Sequence, residues 1–430
     1  MESRRQRLCF LCSVSDWRLN MESKVEQIKK EAADLQEDLV RIRRYLHTNP
    51  ETGFDLKKTL PYVKQELVKM GYEPQICGKA GLVALAGGRR PGNVFLIRGD
   101  MDALPIREEA DVSFASENGC MHACGHDMHT AMLLGAAKLL KNHEDEIEGT
   151  VKLMFQPAEE IFEGSDDMIH AGVLNEPKVK AAMMIHVMAG MPMQAGTVIV
   201  SSPGVSAPAA DYFEIIVKGK GCHGSMPNTG VDPLTAAAHI LIALQELHAR
   251  ELAMSDRAVL TIGTMHAGTA ANVIPDSVVM GGSIRTFDEE TRTFLKERLT
   301  DMAEGVARAF RAQAEVKWGS GCPTLLNDKE LCACTAQYEK ELLGREKGLT
   351  VEELNAGTSQ NRDTKTAGSE DFAYISQRVP SVMLALAAGQ PELGYPYPQH
   401  HPQVKFDESV LSVGSAVYAY TAMRWLQDHA

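Results

Sequence analysis

Two short stretches of this chain carry a thiol, several imidazoles and a pair of carboxylates: Met121-His-Ala-Cys-Gly-His-Asp-Met-His-Thr130 and Gln156-Pro-Ala-Glu-Glu160. Cys thiolate and His imidazole suit Zn²⁺ or a similar first-row ion, and carboxylates add hard oxygen donors. Of two adjacent glutamates, one can ligate an ion while the other takes a proton from water that the ion activates. The pattern predicts a hydrolytic metal site. Cys124 stands two residues from His126 in a turn full of polar groups and is read as a ligand, whereas His122 and His129 are read as hydrogen-bonding neighbours or helix-start residues. Adjacent glutamates alone would read as a solvated face; their place after Pro157 at a strand end argues for chemistry.

Periodicity supplies the elements that must hold these groups. Val25, Ile28, Ala32, Leu35, Leu39, Ile42 and Leu46 recur at steps of three and four, which predicts one packing helix ending before Asn49-Pro50. A second helix is expected over 57–70, then short buried strands over 81–86 and 93–97. Strand 93–97 runs into Arg98-Gly-Asp-Met-Asp-Ala-Leu-Pro105, strand 150–155 into the glutamate pair, and strand 181–185 into His186; a helix is expected over 130–141. Each polar group thus sits where a strand ends, the edge at which open α/β sheets bind ligands. From residue 206 the order becomes β-α-β-β-α-β, the ferredoxin-like arrangement.

The expected fold is therefore α/β and two-domain: a catalytic α/β sheet domain with an inserted ferredoxin-like domain. Residues 1–20 form an N-terminal extension, 21–205 the first part of the catalytic domain, 206–320 the insertion and 321–430 the second part. A chain of 430 residues is long enough for two cores. The net charge of −13 and the lack of a Lys/Arg run argue against nucleic acid and anionic membranes as partners. No apolar run is long enough to span a bilayer. Arg4 to Val14 imitates a signal peptide, but its apolar run is short and Asp16-Trp17-Arg18 replaces a cleavage site, so the expected location is cytoplasmic. Nine cysteines, an odd and scattered set, are expected to be reduced, and Cys9-x-x-Cys12 is read as chance.

With Cys222-His-Gly-Ser-Met-Pro227, Ala271-Asn-Val-Ile-Pro275 and Gly368-Ser-Glu-Asp-Phe372 added, the motifs resemble, in order, those of the co-catalytic metallo-amidohydrolases. That family holds aminoacylases, hippurate hydrolases, N-acetyl-diaminopimelate deacetylases and auxin-conjugate hydrolases, and is related to carboxypeptidases. The resemblance implies two divalent ions per subunit (Zn, Mn, Co or Ni) on Cys124, His126, Glu160, His186 and His400, the last preferred over His401. It also implies Glu159 as general base and then acid, and Asp102 as the aspartate that orients a ligand. The insertion would be a lid and dimerisation domain. His223 would reach a partner subunit's site to stabilise an oxyanion, so a homodimer is expected. Asn272 would hold the carbonyl oxygen and Arg285 the substrate carboxylate, to which a guanidinium can donate two parallel hydrogen bonds. The implied activity is hydrolysis of N-acyl amino acids, small molecules with a free carboxylate; the alternatives are a carboxypeptidase or dipeptidase, or an N-acetyl-diaminopimelate deacetylase.

Overall fold

The computed structural model describes residues 22–356 and 368–430, so the expected extension over 1–20, with Cys9 and Cys12, lies outside the described residues. Eight strands form the larger sheet, in the order Gln75–Cys77, Gly81–Gly87, Thr150–Gln156, Val94–Asp100, Ala181–Met188, Ser381–Ala387, Val198–Val200, Gly348–Thr350. The four central strands run parallel. Parallel strands are covered on both faces and read as continuous apolar runs. Val94–Asp100 is accordingly buried at every position. Phe95 and Ile97 enter one core with helices Gln36–Thr48, His126–Asn142 and Leu411–Asp428, while Val94 and Leu96 face a second cluster with Met154, Met184 and Phe372. This alternation is the two-residue period of a strand.

Two helical expectations change. The N-terminal helix is interrupted: residues 22–34 are helical, Leu35 is a turn, and the helix resumes at Gln36–Thr48. Apolar periodicity continues across Leu35 because both halves cover the same core, so pattern alone does not show the break. The helix expected over 130–141 begins four residues earlier, at His126. Gly125 precedes it at φ 93°, and a Cβ there would lie 2.4 Å from Val187 Cγ2. Glycine permits both the left-handed turn and the close approach.

A separate four-stranded antiparallel sheet runs in the order Ala258–Ala267, Ser277–Thr286, Ala209–Lys218, Gln313–Cys322. With helices Pro233–Glu246 and Glu289–Ala309 its chain order is β-α-β-β-α-β. Asp232 and Asp288 cap these helices through their side-chain oxygens, as N-cap aspartates do. Phe213, Ile215, Val217, Ile240, Leu244, Leu295 and Leu299 form a core belonging to this unit. Among the described residues the cysteines are free, and no helix is long and apolar enough to cross a membrane.

Candidate metal centre

The carboxyl ends of the central parallel strands converge on one cavity of about 620 Å³, lined by Cys124, Glu159, Glu160, His186 and His400 among others. Strand Val94–Asp100 delivers Asp100 and, just beyond it, Asp102; strand Thr150–Gln156 leads into Glu159 and Glu160; strand Ala181–Met188 carries His186. Helix His126–Asn142 begins on His126 itself. Ala158, Phe162 and His400 hold positive φ angles of 55°, 56° and 66°. Non-glycine residues in that region are uncommon and gather at functional sites.

Hydrogen bonds decide which imidazole atoms remain for a ligand. His126 Nδ1 donates to Asp102 O at 2.9 Å, leaving Nε2 buried without a hydrogen-bond partner. His186 Nδ1 donates to Val187 O at 2.8 Å, and its Nε2 lies 3.5 Å from Cys124 Sγ. A backbone acceptor on one ring nitrogen fixes the tautomer and exposes the other nitrogen as a base or ligand. His129 is different, since Nδ1 pairs with Asp100 Oδ1 at 2.6 Å and Nε2 accepts from Val187 N at 2.9 Å. Both of its nitrogens are used, so it braces the site instead of facing the cavity. His400 Nε2 lies 3.7 Å from Glu160 Oε1, whereas His401 stacks on Tyr397 and accepts from Gln403 N.

Cys124, His126 and His186 can bring one ligand atom each within 4.8 Å of one another, as can Cys124, Glu160 and His400, and also His126, Glu159 and Glu160. The residues fit divalent cations. His126 Nε2 and Glu160 Oε1 are buried without hydrogen-bond partners, and of the six carboxylates in or under the site (Asp100, Asp102, Glu159, Glu160, Glu370, Asp371) the buried Arg98 pairs with Asp100, Glu370 and Asp371. The excess of negative charge is felt: burial pushes Glu160 up to about 7, with Asp102, Asp100 and Glu370 adding to it. Burial, then Glu370, Glu160 and Asp371, holds Glu159 well above the usual carboxylate range. The Cys124 thiol is pushed up to about 12 by burial and then by Glu160, while burial lowers His186 to about 3. Divalent cations would supply the missing positive charge and favour the thiolate, the carboxylates and the neutral imidazole, which are the ligand forms.

Asp102 lies under the glutamate pair, its two oxygens accepting from Glu159 N at 3.0 Å and Glu160 N at 3.2 Å. Arg285 lines the same cavity, donating from Nη1 to Ser369 Oγ at 2.5 Å and from Nη2 to Tyr212 Oη at 3.1 Å. His223 and Asn272 are not brought there. Strands Cys222–His223 and Val273–Ile274 pair as a small ribbon, both residues are exposed, and His223 lines a separate cavity of about 650 Å³. Ser225 N and Oγ lie 3.2 and 2.8 Å from His223 Nδ1, which accepts from the amide, so the ring proton sits on Nε2.

Sequence reasoning gives no role to Arg98, Asp100, Glu370, Asp371, Phe162 or Tyr212, all in or under this site. The first four stand within the Arg98–Pro105 and Gly368–Phe372 motifs, and the unbalanced charge of those motifs is the signal that could have found them. Phe162 and Tyr212 come from distant segments, with ring centroids 6.4 Å apart and planes 12° from parallel; no local pattern marks such a pair.

The model of peptidase family M20/M25/M40 matches residues 96–424. N-acetylcysteine deacetylase of Bacillus subtilis (strain 168) is 36% identical over 90% of this chain and 96% of its own length. Thermostable carboxypeptidase 2 of Saccharolobus solfataricus is 33% identical over 93% of this chain and 98% of its own. Among solved structures, the Bacillus subtilis YXEP protein, described as a dinuclear metal-binding peptidase of the M20 family, is similar at a TM-score of 0.71 and 33% identity, covering 92% of this chain and 99% of that one.

Proposed function

The chain belongs to peptidase family M20/M25/M40 and is a hydrolase, and we propose that it is an N-acyl-L-amino acid amidohydrolase, cleaving the amide between an acyl or aroyl group and an amino acid with a free α-carboxylate. One observation carries this reading: a buried glutamate, a convergent set of ligand donors and the guanidinium of Arg285 share a single cavity. Cys124, His126, Glu160, His186 and His400 would hold two divalent ions, Zn, Mn, Co or Ni. When bound, such a pair polarises the scissile carbonyl and makes water a better nucleophile at neutral pH.

The protein's own groups do the rest. Glu159 takes a proton from the attacking water and returns it to the leaving nitrogen, a shuttle open to a carboxylate that is not itself a ligand. Asp102 holds the Glu159 and Glu160 peptides in place. Arg285 engages the α-carboxylate. In this proposal residues 206–320 are a lid and dimerisation domain inserted between 21–205 and 321–430, and the protein works as a cytoplasmic homodimer. His223 Nε2–H and Asn272 of each copy then serve the site of the other, stabilising the oxyanion and holding the carbonyl oxygen.

The test compares N-acetyl-methionine and N-benzoyl-glycine with their C-terminal amides, and with dipeptides. An amidated substrate leaves Arg285 without a carboxylate to neutralise it, and losing one partner of such a charge pair costs about 2–5 kcal/mol, so the amides should be roughly thirty-fold or more poorer. Arg285→Ala should narrow the gap chiefly by harming the free acids. Equal rates on acid and amide would remove carboxylate recognition, and faster cleavage of dipeptides than of every N-acyl amino acid would favour a dipeptidase or a carboxypeptidase, the latter being the activity for which the Saccharolobus relative is named.

A further inference from the structure

Beneath the cavity lies a cation that the reaction as described does not use. Arg98 has a side chain with no exposure, in the middle of the parallel sheet. Its Nη1 meets Asp100 Oδ2 at 2.6 Å, Nη2 meets Glu370 Oε1 at 2.7 Å and Asp371 Oδ1 at 3.0 Å, and Nε donates to Gln156 Oε1 at 2.9 Å. Two chains of contacts leave this fork. On one side Asp100 holds His129, His129 holds Val187 N, and Val187 O orients the His186 ring. On the other side Asp371 N donates to Glu159 Oε1 at 3.3 Å, while Glu370, a lining residue of the cavity, accepts from Phe372 N at 2.9 Å.

We propose that Arg98 is a positioning residue for hydrolysis, fixing the distance between the base Glu159 and the ligand-bearing strand Ala181–Met188 without touching the substrate. The proposal rests on the amidohydrolase reading. A buried ion cluster is a costly way to fill a core, because apolar side chains of similar volume often do as well or better, so stability alone is a weak reason for it. The planar guanidinium meets three carboxylates and an amide oxygen in directions set by its own geometry. A lysine ammonium keeps the charge but offers a single point, and cannot hold the same arrangement. Since Asp371 is also held by Ser165 N at 2.9 Å and Gln156 Nε2 at 2.7 Å, its loop keeps anchors when the fork is lost. The effect of Arg98→Lys should therefore be a loosened Glu159, with the fold kept.

The experiment compares full-length wild type, Arg98→Lys, Glu370→Gln, Glu159→Gln and the Arg98→Lys/Glu159→Gln double variant, each reconstituted with Zn²⁺ or Mn²⁺. Bound metal is measured by elemental analysis, melting by circular dichroism, and kcat and KM on N-acetyl-methionine and N-benzoyl-glycine. Arg98→Lys should bind wild-type amounts of metal and lose at least ten-fold in kcat with KM within two-fold. It should cost nothing further in the Glu159→Gln background, because the group it positions is already gone. Glu370→Gln should show the same split, more weakly. Unchanged kcat, additive losses in the double variant, or loss of metal or of folding in both Arg98→Lys and Glu370→Gln would overturn the proposal. A wild type inactive on every N-acyl amino acid would overturn the amidohydrolase reading with it, whereas an active wild type beside an unaffected Arg98→Lys overturns the positioning role alone.

Discussion

Glu159 Oε1 accepts a hydrogen bond from Asp371 N, whereas Glu160 Oε1 is buried without a hydrogen bond and lies 3.7 Å from His400 Nε2. In the proposed reaction the two carboxyls, adjacent in sequence, have different tasks and should fail differently. Glu159→Gln keeps the shape and removes the proton acceptor, so turnover should fall by about 10²-fold or more while bound metal, measured by elemental analysis, stays at the wild-type level. Glu160→Gln should weaken metal binding instead, and the opposite pair of phenotypes would reverse the assignment. What the sequence makes legible at this scale is donor chemistry: thiol, imidazole and carboxylate types within short motifs. It does not reveal which imidazole atoms stay available. His126 and His129 are one turn apart on the same helix, yet only the latter has both nitrogens satisfied, through a strand residue, Val187, and a carboxylate, Asp100, from other segments.

At the level of elements, the strand ends are the most legible part, because buried parallel strands write themselves as short apolar runs and the polar motif that follows each must lie at its carboxyl edge. Helix limits are less so. The break at Leu35 leaves no mark in the apolar pattern, and the start at His126 depends on how closely Gly125 approaches Val187. Another feature invisible in the sequence is Glu339 on helix Lys329–Leu343, fully buried, with Oε1 accepting from Thr421 Oγ1 of helix Leu411–Asp428 and Oε2 without a partner. Burial pushes its pKa from 4.5 to about 8. Between those values the folded state keeps a proton that the unfolded chain has released, so this group makes stability fall as pH rises through the window, by roughly 1.4 kcal/mol per unit. Glu339→Gln, which mimics the protonated carboxyl, should remove that slope. Chemical denaturation at pH 5 and pH 8 should show the variant gaining on wild type by an amount on the order of 4 kcal/mol at the higher pH; equal pH dependence in the two proteins would mean that Glu339 is ionised when folded.

For the whole molecule, two sheets with cores of their own share one chain, and the proposed reaction draws on both. The larger sheet gathers the ligand donors and Glu159, and the smaller sheet sends Arg285 into the same cavity. His223, also carried by the smaller unit, stands exposed on a ribbon beside another cavity. The presence of two sheet units is legible in the sequence, since the length favours it and the switch from βα alternation to β-α-β-β-α-β order marks it. Where His223 points is not legible, because orientation between units depends on contacts that no local pattern records. If each site of a homodimer is completed by the other copy, a dimer of His223→Ala with Glu159→Gln contains one site that lacks both groups and one that has both. Coexpressed with different tags and purified through both, such heterodimers should recover up to about half of the wild-type rate, although each parent alone is nearly inactive. Exchange between subunits would only dilute that recovery toward a quarter. Absence of rescue in heterodimers verified by mass spectrometry would exclude service of the partner's site by His223, and the oxyanion would then have to be stabilised from within the cavity that already holds Glu159 and Arg285.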